Sequence, residues 1–475
     1  LGIADKEEPD GWLGGRPTSR RTVIKGAIAA VGVGGLAAGV AIGTESGGSS
    51  RHHVTSTTVT GSSPAASTSS PSRPRTGGAA AATRIDLGDA RYKAKGDGSD
   101  DTPALMAWRD DIHAAIDRGA RGVLATVPCG VFSLGGGAGS LDILDDNVHL
   151  QGDGRGGSVL TQMGRSNLDV VQTRGYGTFS DRPRSGFSIT DLTIDGNSAA
   201  QTQARWCLVI NGFNYDIETV DLLHGGAGAF SSRYHDNGTA KYQEARIRGL
   251  GCHEYAAVPG SRKPTYGILW AGPHDSQFSD MILSTLAAAQ PGLGPSYGFV
   301  QTKDASAEYL TNTHIWGRHH YGLWADPVAN GIHLANVVAE GAFLANAVLG
   351  NGCTWSGGEV YGTNGNSGTQ PHEQGITLGM TRGASRAPSG PGITDGFTGS
   401  SNYIQGIRVY NFSAPGVCIN FRHGAGNNVV SAVCATALGN GNGNGLYAGS
   451  PQHDDEVFLI DSSSSARLIQ RLGST

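Results

Sequence analysis

Gly96-Asp97-Gly98-Ser99-Asp100-Asp101-Thr102 runs straight into Pro103-Ala104-Leu105-Met106-Ala107-Trp108, and further on the chain reads Asn147-Val148-His149-Leu150-Gln151-Gly152-Asp153-Gly154. The first segment is a turn that starts a helix. Asp101 or Thr102 can cap it. Proline suits the first helical position, where its missing N–H would be unpaired in any case. Leu105, Trp108, Ile112 and Ile116 recur at helical spacing and define one apolar face. Val123-Leu124-Ala125-Thr126-Val127-Pro128 then reads as a short strand stopped by proline, and 147–154 as another strand between turns. Asp97, Asp100 and Asp101 are assigned to capping and turn formation rather than to an acidic metal loop.

From this start a pattern of apolar-x-x-apolar-x-apolar runs towards the C-terminus. It appears as Ile189/Leu192/Ile194, Ile217/Val220/Leu222, Phe278/Met281/Leu283, Leu334/Val337/Ala339, Ile404/Ile407/Val409 and Val430/Val433/Ala435, with weaker copies centred on Ala245, Thr313 and Gly358. A second strand follows in each unit, as in Tyr266-Gly267-Ile268-Leu269, Tyr297-Gly298-Phe299-Val300 and Tyr321-Gly322-Leu323-Trp324. Repetition on this scale is the mark of a solenoid, in which each unit is one coil and stacking buries a shared core. Composition agrees. The chain has 75 glycines in 475 residues, far above ordinary usage, without the strict triplet of collagen or the heptads of a coiled coil. Apolar residues make up 38% of it, too many for a wholly disordered chain. Asn346, Asn351, Asn411, Asn427, Asn428 and Asn440 are expected at coil corners, where Asn tolerates left-handed backbone.

The order GDGxxDDT, helix, strand ending in proline, NVxLQGDG resembles the start of right-handed parallel β-helices of the pectate-lyase superfamily. Polygalacturonase- and rhamnogalacturonase-like enzymes and phage tailspikes belong to it. The resemblance is specific over residues 90–160, with Pro128-Cys129-Gly130-Val131-Phe132 standing where the family has PxGxY. It implies an all-β chain: a right-handed single-stranded parallel β-helix over 85–475 with a short N-terminal capping helix. It also implies action on carbohydrate. The NTD, GHG and RIK motifs of polygalacturonases are absent, and Arg318-His319-His320 stands where those enzymes carry a paired aspartate.

Ser19-Arg20-Arg21-Thr22-Val23-Ile24-Lys25 precedes a weakly apolar run. Residues 1–44 therefore resemble a twin-arginine export signal, which makes the twin-arginine translocase a partner and the destination extracellular, cell-wall-associated or periplasmic. An uncleaved signal would leave a membrane tether. Residues 45–84 are Ser, Thr, Ala, Gly and Pro and read as a disordered linker. The remaining residues, 85–475, carry 26 basic and 35 acidic side chains, a balance that argues against nucleic acid as a partner. Six cysteines contain no CxxC pair. Isolated buried thiols are expected, with Cys418 and Cys434 the first pair to examine for a bridge. Nothing in the sequence specifies an oligomer.

Within the repeat, the residue between the last two apolar positions points outward, and so does the one after them. The first outward column reads Thr193, Asp221, Arg246, Ile282, His314, Val338, Glu359, Arg408, Cys434. The second reads Asp195, Leu223, Arg248, Ser284, Trp316, Glu340, Tyr361, Tyr410, Thr436. A solvated polar face accounts for most of these residues. The stretch holding Trp316, Glu340, Tyr361 and Tyr410, flanked by His314, Glu359 and Arg408, is different. Flat rings suit sugar faces, and paired carboxylates are what glycosidic cleavage requires. One inter-strand step and one two-residue step separate Glu340 from Glu359 by roughly 8 Å, within the inverting range of about 6.5–9.5 Å.

Glu340, Glu359 and His320 are accordingly the candidate catalytic residues. Trp316, His314, Arg318, His319, Tyr361, Arg408 and Tyr410 are candidate substrate contacts, with Asp195, Asp221 and His224 a secondary cluster. The leading expectation is a glycoside hydrolase acting on a polysaccharide. The alternatives are a polysaccharide lyase, which would bring in Ca²⁺ or Arg to neutralise a uronate, and a non-catalytic sugar-binding or adhesive β-helix. No cofactor is expected otherwise, and no HExxH or similar set marks a metal site.

Overall fold

The computed structural model describes residues 82–137, 139–234, 244–285, 294–329, 331–362, 374–380, 382–384, 386–390, 392–412, 417–420, 426–436, 447–448, 456–461 and 468–472. Residues 1–44, expected to be an export signal, and nearly all of 45–84, expected to be a linker, lie outside them, as do the side chains of Cys418 and Cys434. The first described strand is Thr83–Asp86, which pairs with Val123–Val127. The helix spans Thr102–Asp117 and buries Leu105, Trp108 and Ile112 against the first coils, with the Trp108 indole donating to the Ile85 carbonyl at 3.1 Å. Asp101 occupies the N-cap position but does not cap the helix. Its carboxylate accepts the backbone N–H groups of Lys95 and Gly96 instead, while Asp97 and Asp100 accept those of Ser99 and Thr102. The acidic opening is thus a set of turn closures.

The chain then winds as a right-handed parallel β-helix. A 12-stranded sheet forms one face, and a 20-stranded sheet forms the rest. The larger sheet is creased lengthwise. In successive coils Asp191, Thr219, Gly249, Asp280, Asn312, Asn336, Gly357 and Gly406 all have positive φ, between 48° and 67°. Each stands just before the second apolar residue of the repeat. This explains the spacing of three and then two. The first apolar residue belongs to one face, the chain bends at a left-handed residue, and the other two lie on the next face. Asn336 donates to Asn312 at 2.9 Å and Asn312 to Asp280 at 3.2 Å, tying three corners together. We call the smaller sheet the first face, and the strips before and after the crease the second and third faces.

Stacking inside the coil is close. A Cβ on Gly298 would stand 2.3 Å from the Gly322 carbonyl oxygen, so this inner position of the first face admits only glycine without separating the coils. Trp270, Trp355, Phe278 and Phe299 are fully buried in the interior. On the outside of the first face a separate apolar cluster of Tyr266, Tyr297, Tyr321 and Trp324 packs against Met380, Ile393 and Phe397 from the excursion after Gln374–Leu378. At the far end Glu456–Asp461 pairs antiparallel with Leu468–Leu472.

Three expectations need correction. Asn346 is no corner residue but is fully buried, bonded to the Ala342 N–H and the Tyr361 carbonyl. The weak copy centred on Ala245 is really Ile247/Leu250/Cys252, because Gly249 is the left-handed corner. Arg246 and Arg248 therefore sit on the second face beside Asp216 and Glu218, and Gly251 and His253 take their places in the outward columns. The last copy is one residue shorter than expected: Val433, not Cys434, pairs with Arg408, across a register shift. Cys207, Cys252 and Cys353 are buried free thiols, but Cys129 is exposed.

Candidate functional site

On the third face, backbone pairing aligns Ser284, Trp316, Glu340, Tyr361 and Tyr410 in one column and Ile282, His314, Val338, Glu359 and Arg408 in the neighbouring one. Glu359 pairs with Val338 and Tyr361 with Glu340, so the two carboxylates stand on adjacent coils with an offset of two residues. Alternation along Ile332–Glu340 and Thr354–Tyr361 buries Val337, Ala339 and Val360 while these polar side chains turn outward.

The two carboxylates have different surroundings. Glu340 meets His314 Nε2 through Oε1 at 3.1 Å, while its enclosed Oε2 has no hydrogen-bond partner. Glu359 accepts from Arg408 Nη1 at 3.0 Å and from the Tyr410 hydroxyl at 2.9 Å. Tyr410 stacks on Tyr361 with ring centroids 5.3 Å apart, and the Arg408 guanidinium lies over the Tyr410 ring. Desolvation, and then the bond to Glu359, raises the Tyr410 phenol above its usual pKa and keeps it a donor. Trp316 lies beside His314, with centroids 6.3 Å apart. The result is a carboxyl group with one unengaged oxygen, a carboxylate fixed by two donors, and a partly open ring surface around both.

Arg318 is exposed just beyond this strand, but the two histidines after it are not part of the surface. His319 has no exposed area, stacks on Tyr255, and is pushed down to about 4 by burial. His320 is also buried. The Ser296 N–H meets its Nδ1 at 3.0 Å, the Arg386 guanidinium meets its Nε2, and burial followed by that positive charge holds it at about 4. The expectation that His320 acts as a catalytic group and His319 as a substrate contact is therefore corrected. The chain turns inward after Gly317, and both rings tie coils together from within.

The secondary cluster resolves into two pairs. His224 Nδ1 lies 3.0 Å from Asp195 Oδ1, and this bond raises the imidazole pKa. Asp221 Oδ1 pairs with Arg155 Nε at 3.5 Å and stands near His253, whose Nδ1 lies 2.8 Å from the Ser284 hydroxyl. A Cβ on Gly251 would lie 2.4 Å from Asp221 Oδ1 and 2.5 Å from His253 Nε2, so both atoms border the space that glycine leaves open. The signal for this placement lay in Leu250-Gly251-Cys252-His253, hidden by the misplaced corner. Among the described residues no three His, Cys, Asp or Glu side chains converge as a metal site. On the third face Arg408 and Tyr410 take both oxygens of Glu359, which makes it a poor calcium ligand.

No family model matches the chain, and no curated protein does. Solved structures do. The A-module of mannuronan C-5 epimerase AlgE6 from Azotobacter vinelandii superposes with a TM-score of 0.51 at 16% identity, covering 80% of this chain and 100% of that one. A mutant tailspike protein of E. coli bacteriophage HK620, in complex with a pentasaccharide, gives 0.54 at 13% identity over 79% of this chain and 67% of that one. Likeness at such identity is likeness of fold.

Proposed function

We propose that this is an exported protein that acts on a polysaccharide laid along the third face, and that it hydrolyses glycosidic bonds with Glu340 as acid and Glu359 as base. The observation that carries the proposal is the in-register column Trp316–Glu340–Tyr361–Tyr410 with Glu359 one coil on. Glu340, whose side chain stays partly open on the third face, is placed to give a proton to the departing glycosidic oxygen. Glu359, held as an acceptor by Arg408 and Tyr410, takes a proton from a water that adds to the anomeric carbon. Trp316 and the Tyr361–Tyr410 stack offer ring faces to the sugars on either side. His314 positions Glu340 through its bond to Oε1. A saccharide bound to a tailspike of the same fold is consistent with this class of substrate. Export would follow from the leader at residues 1–44, and Arg20→Lys with Arg21→Lys would leave the chain inside the cell.

Product chemistry tests the reaction type. The full chain, incubated with a panel of neutral and uronate polysaccharides, should release reducing ends without ultraviolet absorbance from unsaturated uronates. Such absorbance would replace hydrolysis with β-elimination. Tight binding without any product would make the column an adhesive surface.

A further inference from the structure

The second face carries another outward column that the proposed reaction does not use. Register aligns Asp216, Arg246, Gln277, Tyr309, His333, Thr354 and Tyr403 along it. Tyr309 and Tyr403 are each 45% exposed, and they are the only tyrosines among the large apolar side chains that the described surface leaves this open. The Tyr309 ring stacks on His333 with centroids 4.7 Å apart, and His333 Nδ1 lies 2.9 Å from the Thr354 hydroxyl. The Tyr403 hydroxyl donates to Gln405 at 3.0 Å. Beside the rings the adjacent column is small, with Thr311, Ala335 and Ser356, so it forms a shallow shelf along the ring edges. Towards the N-terminal end the same face continues as a groove of about 480 Å³ lined by Asp216, Glu218, Arg246, Arg248, Gln277 and Ser279.

We propose that this face is a second glycan-binding track, distinct from the third face and parallel to it along the coil axis. Exposed rings spaced along a column, with hydrogen-bonding side chains between them, suit a polymer that presents apolar ring faces and hydroxyl edges in alternation. The groove adds donors and acceptors of both signs, which fits a polar chain better than an apolar peptide. Tyr309 and Trp316 flank the left-handed corner at Asn312 in a single coil, so the two tracks look in different directions. A polymer seated on the second face leaves the third face free, and the protein can hold a polysaccharide at one face while another segment occupies the other. This inference does not require the proposed hydrolysis, because its test reads binding.

The full chain and the Tyr309→Ala/Tyr403→Ala double variant would be run by native affinity electrophoresis through gels containing polymannuronate, polygalacturonate or dextran. The parent should be retarded in at least one gel, and the double variant should lose about fivefold or more in apparent affinity there, as expected for two lost ring contacts. Introduced into a Trp316→Ala background, the same two tyrosine substitutions should again lower the apparent affinity by about that factor, because the two faces bind independently. Both tyrosines project into solvent, so an unchanged melting temperature should confirm that the double variant folds. Retardation that the double variant keeps overturns the proposal. So does retardation that Trp316→Ala alone abolishes, and so does a parent mobility that none of the three polymers changes.

Discussion

Glu308 and Glu340 belong to adjacent coils, yet one points into the helix and the other out of it. Glu308 has no exposed surface. Its carboxyl accepts from Trp270 Nε1 and the Ser306 N–H and meets the Gln301 amide, and no cation among the described residues reaches it. Burial pushes it up to about 7 in spite of those bonds. Glu340 keeps a partly open position on the third face, with His314 on one oxygen. The interior therefore makes a carboxyl group a cost to stability when it ionises, whereas the face holds carboxylates beside ionisable partners at little cost to the fold. Interior changes should then alter stability, and face changes should alter activity.

The sharpest way to break that division lies within one strand. Trp355 is fully buried, and Tyr361, on the same strand, faces outward. Trp355→Ala should cost about 3–5 kcal/mol in denaturant unfolding, while Tyr361→Ala should cost no more than about 1 kcal/mol. Equal losses would mean that the third-face column is structural. The next effect is one of pH. Because the folded-state pKa of Glu308 is raised from 4.5 to about 7, folding favours the protonated form. Its contribution is intact below the unfolded value and is lost as pH rises through 7, at a cost of about 3 kcal/mol. Glu308→Gln should flatten the stability profile between those values. The Gln301 carbonyl oxygen, which has no partner now, can turn to accept from the new amide. A profile unchanged by the substitution would contradict the interior assignment.

On the face itself, Glu340→Gln and Glu359→Gln should each slow product release by about a hundredfold while leaving the unfolding midpoint close to the parent. Full activity in both would remove the pair from the mechanism. Tyr410→Phe should have the smallest effect, about fivefold in rate, since it deletes one donor to Glu359 and leaves the stack and Arg408 in place.

Much of this is legible in the sequence. The apolar spacing carried the coil, because each inward residue must meet its neighbour in the next coil. Alternation from those residues placed Trp316, Glu340, Glu359, Tyr361, Arg408 and Tyr410 on one face. What escaped the sequence has physical causes. Any small or polar residue can serve as the left-handed corner, so Gly249 was overlooked, and Arg246 and Arg248 were assigned to the wrong positions. Alternation says nothing about the turn after a strand, so His319 and His320 were read as exposed when the chain carries them inward. Alternation from the last two apolar positions reaches only the columns after the crease. Tyr309 and Tyr403 lie before it, in a strip whose existence depends on the bend itself.

The most direct test of the central claim is proton NMR of the anomer first formed from whichever panel polysaccharide the full chain degrades. Carboxylates one coil apart and two residues offset leave room for a water between base and sugar, so the account predicts a product of inverted configuration. Retention of configuration, unsaturated ends, or the absence of any product would contradict it.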